Sequence, residues 1–181
     1  MSTLTDTQQH YAERLEKRNN STSIEIWKML DQVLDPEIPV LSLWDLGILT
    51  NISQQENQVT VTITPTYSGC PAIDVMRDDI LDTLNANGLK GAVVETQLAP
   101  AWSSTWMSPE GQKKLTAYGI APPNPIYCAR NHNGCNTPPG VTCPHCQSNK
   151  THQISEFGST ACKALHQCDD CFEPFDYFKT L

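Results

Sequence analysis

Hydrophobic spacing marks out alternating helices and strands over the first two thirds of the chain. Over residues 23–34, Trp27, Leu30 and Leu34 share one helical face, and Thr22 with Glu25 fits a capping box at its start. Pro36 and Pro39 cannot continue a helix, so Asp35-Pro36-Glu37-Ile38-Pro39 ends it. Residues 46–52 read as a strand and residues 54–57 as a hairpin loop. Val59, Val61 and Ile63 then alternate with Thr60, Thr62 and Thr64, the pattern of a half-buried strand. The loop Thr66-Tyr67-Ser68-Gly69-Cys70-Pro71 leads into a helix that stripes Ile73, Met76, Ile80 and Leu84 and stops near Gly88. A third strand is predicted over residues 92–98. A last helix is predicted from Ser108-Pro109-Glu110 to about Gly119.

The order α-β-β-α-β-α predicts an α+β, two-layer domain with a three-stranded mixed sheet. Its expected bounds are residues 22–120, after a polar extension at 1–21 that reads as a loose helix. Residues 121–140 form a linker rich in proline, and residues 141–181 a separate small module.

The formal charge of −8 argues against a protein that grips phosphate backbones. No apolar run approaches the roughly 20 residues of a membrane helix, and residues 1–20 lack the apolar stretch of a secretory signal. A cytoplasmic location is expected. There, clustered cysteines bind metal or react more often than they form disulfides. Of the eight cysteines, seven follow residue 127.

Cys143-Pro144-His145-Cys146 and Cys168-Asp169-Asp170-Cys171 are two CxxC pairs separated by 21 residues. Two residues between thiolates let a tight turn aim both sulfurs at one ion, and two such turns complete a tetrahedron. The bland alternative is two coincidental pairs of free thiols. A four-cysteine set serves zinc or iron–sulfur chemistry, and spacing does not choose between them. A segment this short cannot make its own core, so a metal would supply folding free energy. Residues 151–154 and 172–178 are expected as ribbon strands, with Phe172, Phe175, Tyr177 and Phe178 as a small core. Cys162, His145, His152 and His166 are spare donors read as structural or solvated. Cys128, His132 and Cys135 form a looser second cluster, open between a metal site and an unemployed loop.

Cys70 is expected at a helix N-cap, exposed and activatable, where the macrodipole lowers a thiol pKa. The alternative is a small buried apolar residue. His10 is the sole histidine before residue 132, so a Cys-His hydrolase has little support. Asp35 and Glu37 could lie beside the same loop, or simply face solvent at a helix end. Trp102 and Trp106 flank Ser103-Ser104-Thr105, as a docking surface or as a cover for the sheet end.

Asp35-Pro36-Glu37-Ile38-Pro39-Val40, Leu46-Gly47-Ile48, Ser68-Gly69-Cys70-Pro71 and Ala99-Pro100-Ala101-Trp102 together resemble the α/β domain of iron–sulfur assembly factors such as SufT. Phe157-Gly158-Ser159-Thr160-Ala161-Cys162-Lys163-Ala164-Leu165, framed by the CxxC pairs and followed by Glu173-Pro174-Phe175-Asp176-Tyr177-Phe178-Lys179, resembles the PaaD (PaaJ) family. That likeness implies an accessory protein of the phenylacetyl-CoA ring epoxidase, an oxygenase system of aerobic phenylacetate breakdown. Its implied partners are the di-iron oxygenase and the reductase that carries flavin and an iron–sulfur cluster. It further implies a maturation role, with Cys70 as a transient iron or cluster ligand and Asp35 and Glu37 as supporting loop residues. The tryptophan loop of such domains often carries an acid, where this chain has Ser104-Thr105-Trp106. The chain lacks Glu-x-x-His pairs for a di-iron site and a GxGxxG fingerprint, so no catalytic activity of its own is expected. The competing readings are a stable docking subunit of the oxygenase and, remotely, a nucleic-acid-binding zinc ribbon.

Overall fold

A computed structural model describes residues 6–56, 58–123 and 141–181. The chain divides into two compact units, Met1–Gly111 and Gln112–Leu181.

The first unit contains helices α1 (Asp6–Asn19), α2 (Ile24–Leu30) and α3 (Ile73–Ala86), strands β1 (Leu49–Gln55), β2 (Gln58–Ile63) and β3 (Val93–Thr96), and a 3-10 turn at Ser104–Trp106. Helix α4 (Pro109–Tyr118) spans the division between the units. The sheet order is β1-β2-β3, with β1 antiparallel and β3 parallel to β2, which is the mixed sheet the sequence predicts. The alternation of β2 is real: Val59, Val61 and Ile63 are buried, and Thr60 and Thr62 are half-buried. Helix α3 buries Met76, Ile80 and Leu84. It ends where Gly88 adopts φ +82° and the Leu89 N–H returns to the Leu84 carbonyl at 2.9 Å, a Schellman-type stop.

Three local expectations are corrected. Helix α2 ends at Leu30, not Leu34. Leu34 instead bridges Ser42, and the Asp35 N–H bonds the Leu41 carbonyl at 2.9 Å, so the chain has already turned back. The capping box does not form: Ser23 is the N-cap without a side-chain bond, and its buried hydroxyl has no partner. Strand β1 starts three residues late because Gly47, at φ +79°, turns the chain after Leu46.

The polar N-terminal segment is held in place by charged residues. Arg14 donates to the carbonyls of Trp106, Trp44 and Leu49, and its guanidinium lies 4.2 Å from the centroid of the Trp44 ring. Arg18 grips both carboxylate oxygens of Asp31 at 2.8 and 2.5 Å and faces the same ring at 4.7 Å. Such planar stacking and forked hydrogen bonding are properties of arginine that lysine lacks.

The second unit is a three-stranded antiparallel ribbon, β4 (Thr151–Ser155), β5 (Lys163–Cys168) and β6 (Pro174–Phe178), in that order. Ala121 lies alongside β6, exchanging bonds with Asp176 and Phe178 at 2.8 and 2.9 Å. Its core comprises Ala121, Val141, Ala164, Phe175 and Tyr177 with Cys143 and Cys168. The sequence predicts two strands here and misses β5. Phe172 is also corrected: it is 72% exposed rather than a core residue.

Candidate metal centre and the Cys70 loop

Each CxxC pair closes the same backbone turn. In the first, the Gln147 N–H bonds the Cys143 carbonyl at 3.0 Å and the Cys143 N–H bonds the Ser148 carbonyl at 2.8 Å. In the second, the Phe172 N–H bonds the Cys168 carbonyl at 3.1 Å and the Cys168 N–H bonds the Glu173 carbonyl at 3.1 Å. The residue after each second cysteine is left-handed, with φ 64° at Gln147 and 63° at Phe172. That conformation suits glycine, and here it is held by two non-glycine residues at equivalent places. The requirement of the turn therefore overrides the preference of the residue.

The two turns face each other, and their four sulfurs converge. Cys143 and Cys171 are 3.8 Å apart, Cys146 and Cys168 are 3.5 Å apart, and all four sulfurs lie within 4.8 Å of one another. A tetrahedron with zinc–sulfur bonds of about 2.3 Å has sulfur–sulfur edges of about 3.8 Å. The donor set fits one tetrahedral ion in both chemistry and size.

The electrostatics favour a cation at the centre. The backbone N–H of Cys171, with that of Asp170, pulls the Cys168 thiol down to about 7. At Cys171 the Glu173 N–H acts to lower the value, but burial and the neighbouring sulfurs of Cys146, Cys168 and Cys143 outweigh it and push it up to about 12. At Cys146 the Ser148 backbone also lowers, but Cys168 and burial prevail, and the thiol is raised. One thiolate forms readily, and further ones are opposed by its charge. A divalent ion removes that opposition.

A polar clasp ties turn to turn around this centre. Ser148 Oγ donates to Asp170 at 2.6 Å, and Lys150 Nζ reaches the other Asp170 oxygen at 3.1 Å, which together hold that carboxyl below its usual range. The Asp169 N–H bonds the Lys150 carbonyl at 2.8 Å, and the Asp169 carboxylate meets His152 Nδ1 at 2.7 Å. Sequence reasoning missed these residues. The signal was there in retrospect: two acids inside one CxxC and a Ser-x-Lys after the other.

Among the described residues the four cysteines are the one group of metal-type donors that converges. His152 belongs to the clasp. His166 is buried between the rings of Phe175 and Tyr177, with centroids at 5.8 and 5.3 Å. Cys162 is buried with its sulfur 3.0 Å from the Thr160 hydroxyl. The loop before β5 is bound from inside: Ser159 Oγ donates to Asp176 at 2.7 Å, and buried Lys163 stands 3.9 Å from the same carboxylate. Cys128, His132 and Cys135 lie outside the described residues.

Cys70 departs from expectation. It is 9% exposed, and helix α3 has its N-cap at Ala72, two residues later. Pro71 sits in a turn in which the Ile73 N–H bonds the Cys70 carbonyl at 3.4 Å, directly after the exposed Ser68 and Gly69. Asp35 is not a solvated helix end. It is 6% exposed, and Oδ1 accepts from the Glu37 and Ile38 N–H groups at 2.9 and 2.7 Å, fixing the proline turn. Glu37 is half-buried. Trp102 is buried and donates to the Leu46 carbonyl at 3.1 Å, so it covers the sheet end rather than forming a docking surface.

Comparison with known proteins assigns each unit a relative. Residues 129–179 match a family model described as the PaaD zinc beta ribbon domain, and residues 24–96 match one described as an iron–sulfur cluster assembly protein. An Escherichia coli (strain K12) protein bearing the name of a "Putative 1,2-phenylacetyl-CoA epoxidase" subunit is 48% identical over 157 residues, covering 87% of this chain and 92% of its own. A Porphyromonas gingivalis (strain ATCC BAA-308 / W83) protein named "Fe-S protein maturation auxiliary factor" is 36% identical over 96 residues, covering 52% of this chain and 90% of its own. Among solved structures, a domain of unknown function from Bacillus anthracis is 24% identical with a TM-score of 0.48, covering 57% of this chain and 95% of its own. Among the described residues no helix is long and apolar enough to cross a membrane.

Proposed function

Since the chain belongs to the PaaD family, we propose that it is an accessory factor of phenylacetate catabolism that helps assemble the iron–sulfur or di-iron centres of the epoxidase system. The observation that carries this reading is the pairing, in one chain, of a domain of the iron–sulfur assembly type with a four-thiol site sized for one ion. The two units divide the work. The ribbon holds one zinc ion through Cys143, Cys146, Cys168 and Cys171. Zinc with four thiolates supplies folding free energy and carries no open position for chemistry. A single ion is favoured over a polynuclear cluster because a cluster spreads its cysteines over separate irons, whereas these sulfurs lie within 4.8 Å.

In the first unit Cys70 is the sulfur that would receive iron or a cluster in transit. Its partners are the oxygenase and reductase components of the epoxidase system. Support comes from its position directly after the exposed Ser68-Gly69 segment, so that a displacement of that segment would be the way to reach a thiol that is 9% exposed. Asp35 acts by fixing the neighbouring proline turn, and Glu37 is the carboxylate of that turn left with access to solvent.

Two measurements test this. Anaerobic purification with elemental analysis should give colourless protein with one zinc per chain. A brown, iron-containing ribbon would overturn the division of labour. The Cys70→Ser chain, with its thermal midpoint checked against the parent, should lower the metal content of oxygenase and reductase made alongside it. Unchanged metal loading and epoxidase activity would reject the maturation role.

A further inference from the structure

A second site lies far in sequence from every cysteine of the ribbon. Helix α1, the start of β1 and the segment after β3 enclose a groove of about 310 Å³. Its walls include Arg14, Lys17, Thr50, Pro100 and Trp106. We propose that this groove binds a small carboxylic acid with a flat apolar body.

The charge in the groove is the first reason. Arg14 donates only to carbonyl oxygens, those of Trp106, Trp44 and Leu49. Lys17 Nζ donates to the Thr50 carbonyl at 3.2 Å. Neither is ion-paired among the described residues. The Arg14 Nε is buried without a partner. Burial, helped by the Arg18 charge and opposed by Tyr11 and Asp45, brings Arg14 down to about 10, and burial together with Arg14 lowers Lys17. Arg14 feels the Asp45 charge, whereas Lys17 is the cation with a free share of its donors on the groove, and a carboxylate there gains its direct hydrogen bond from Lys17 and charge attraction from Arg14.

The remaining walls narrow the ligand. Pro100 and Trp106 line the groove and supply apolar residues against which a flat group can lie. Glu13 is the one carboxylate on the wall, and Gln9 donates to it at 3.2 Å, so the groove carries about one net positive charge and suits a monoanion. The volume lies at the small end for ligand pockets, roughly 300–1,000 Å³. The overall charge of −8 disfavours a polyanion such as a nucleic acid. This inference stands apart from the maturation reading and needs neither Cys70 nor a metal.

The test uses the full, metal-loaded chain and follows the Trp106 indole N–H and the α1 amides by NMR. The probes are phenylacetate, acetate (charge without ring), 2-phenylethanol (ring without charge) and inorganic phosphate. Phenylacetate should bind saturably, with acetate and phenylethanol each about tenfold weaker or more, since each lacks one of the two contacts. Lys17→Gln should weaken phenylacetate about fivefold or more while its spectrum shows a native fold, as expected when one charged hydrogen bond is removed. Phe172→Gly, on the ribbon, should leave binding unchanged. The proposal is overturned if phenylacetate gives no saturable shift up to about 10 mM, if Lys17→Gln binds equally well, or if phosphate binds as tightly as phenylacetate.

Discussion

Replacing Gly47 by alanine should destabilise the first unit far more than the same change at Gly91. Both glycines are left-handed, at φ +79° and +81°. An alanine pays the backbone penalty at either position, about 1–2 kcal/mol. The surroundings differ. At Gly91 a new Cβ meets nothing within 4 Å. At Gly47 it would stand 2.7 Å from the Trp106 Cβ and 3.0 Å from the Trp106 carbonyl carbon and oxygen. Those are backbone-anchored atoms that cannot swing aside, so overpacking adds about 1–3 kcal/mol. The same Trp106 carbonyl accepts from Arg14, so pushing it away also loosens α1. Gly91→Ala should thus cost about 1–2 kcal/mol and Gly47→Ala about 2–5 kcal/mol. For a domain of this size each kcal/mol lowers the thermal midpoint by about 4–8 °C. Urea unfolding of both variants, with hydrogen exchange of the α1 amides, reads the two effects. If the variants lose stability equally within about 0.5 kcal/mol, the close approach of Gly47 to Trp106 is not a determinant of this fold.

Four further outcomes are expected. Asp35→Ala leaves the Glu37 and Ile38 N–H groups without an acceptor in a buried turn, and should cost about 1–3 kcal/mol in urea unfolding; Asp35→Asn keeps an acceptor oxygen and should recover part of it, and equal losses would contradict the capping role. Phe172→Gly trades the relief of a strained left-handed residue against glycine's entropy, while the 72% exposed ring gives up little burial; stability should change by less than about 1 kcal/mol with the metal retained, and loss of the ion would assign the ring a role in the site. Cys168→Ser, or chelation, should collapse the β4–β6 amide signals, because structural zinc supplies about 10–16 kcal/mol of apparent binding free energy. For the same site the thiols of Cys146 and Cys171 are raised, so metal binding must release protons and its affinity should fall as pH falls; calorimetry in buffers of different ionisation heat that finds no proton release would contradict those directions.

The parts of this fold that follow hydrophobic period were legible in the sequence, and the parts held by polar contacts were not. Strand β2 and helix α3 bury the residues their spacing predicts. Strand β5 does not, because its buried positions are Lys163, Ala164, His166 and Cys168. His166 is sandwiched by aromatic rings and Lys163 is near Asp176, so side chains that read as polar serve as core. Helix α1 is mostly polar by composition, and its place is explained by the stacking of Arg14 and Arg18 on Trp44 together with their bonds to carbonyls and to Asp31. The four-thiol centre was readable because spacing alone aims CxxC sulfurs. The clasp of Ser148, Asp170, His152 and Asp169 was not, since no linear period links those positions.

The geometry of the ribbon bears on where metal could move. A site that hands an ion onward needs a ligand that can leave or an open coordination position. Here both turns are locked by the same pair of backbone bonds, and Asp169 and Asp170 are fastened to the opposite turn by a lysine carbonyl, a lysine, a serine and a histidine. Cys143 and Cys168 are also part of the ribbon's core, so releasing their ion would expose Phe175 and Tyr177 as well. In the structural-zinc reading proposed above, such a centre would resist exchange, because losing the ion would unfold it. Cys70 has the opposite character: it follows two small exposed residues in a loop and belongs to no strand. Within the maturation role proposed above, transfer is therefore assigned to Cys70, and the ribbon is assigned an ion that stays.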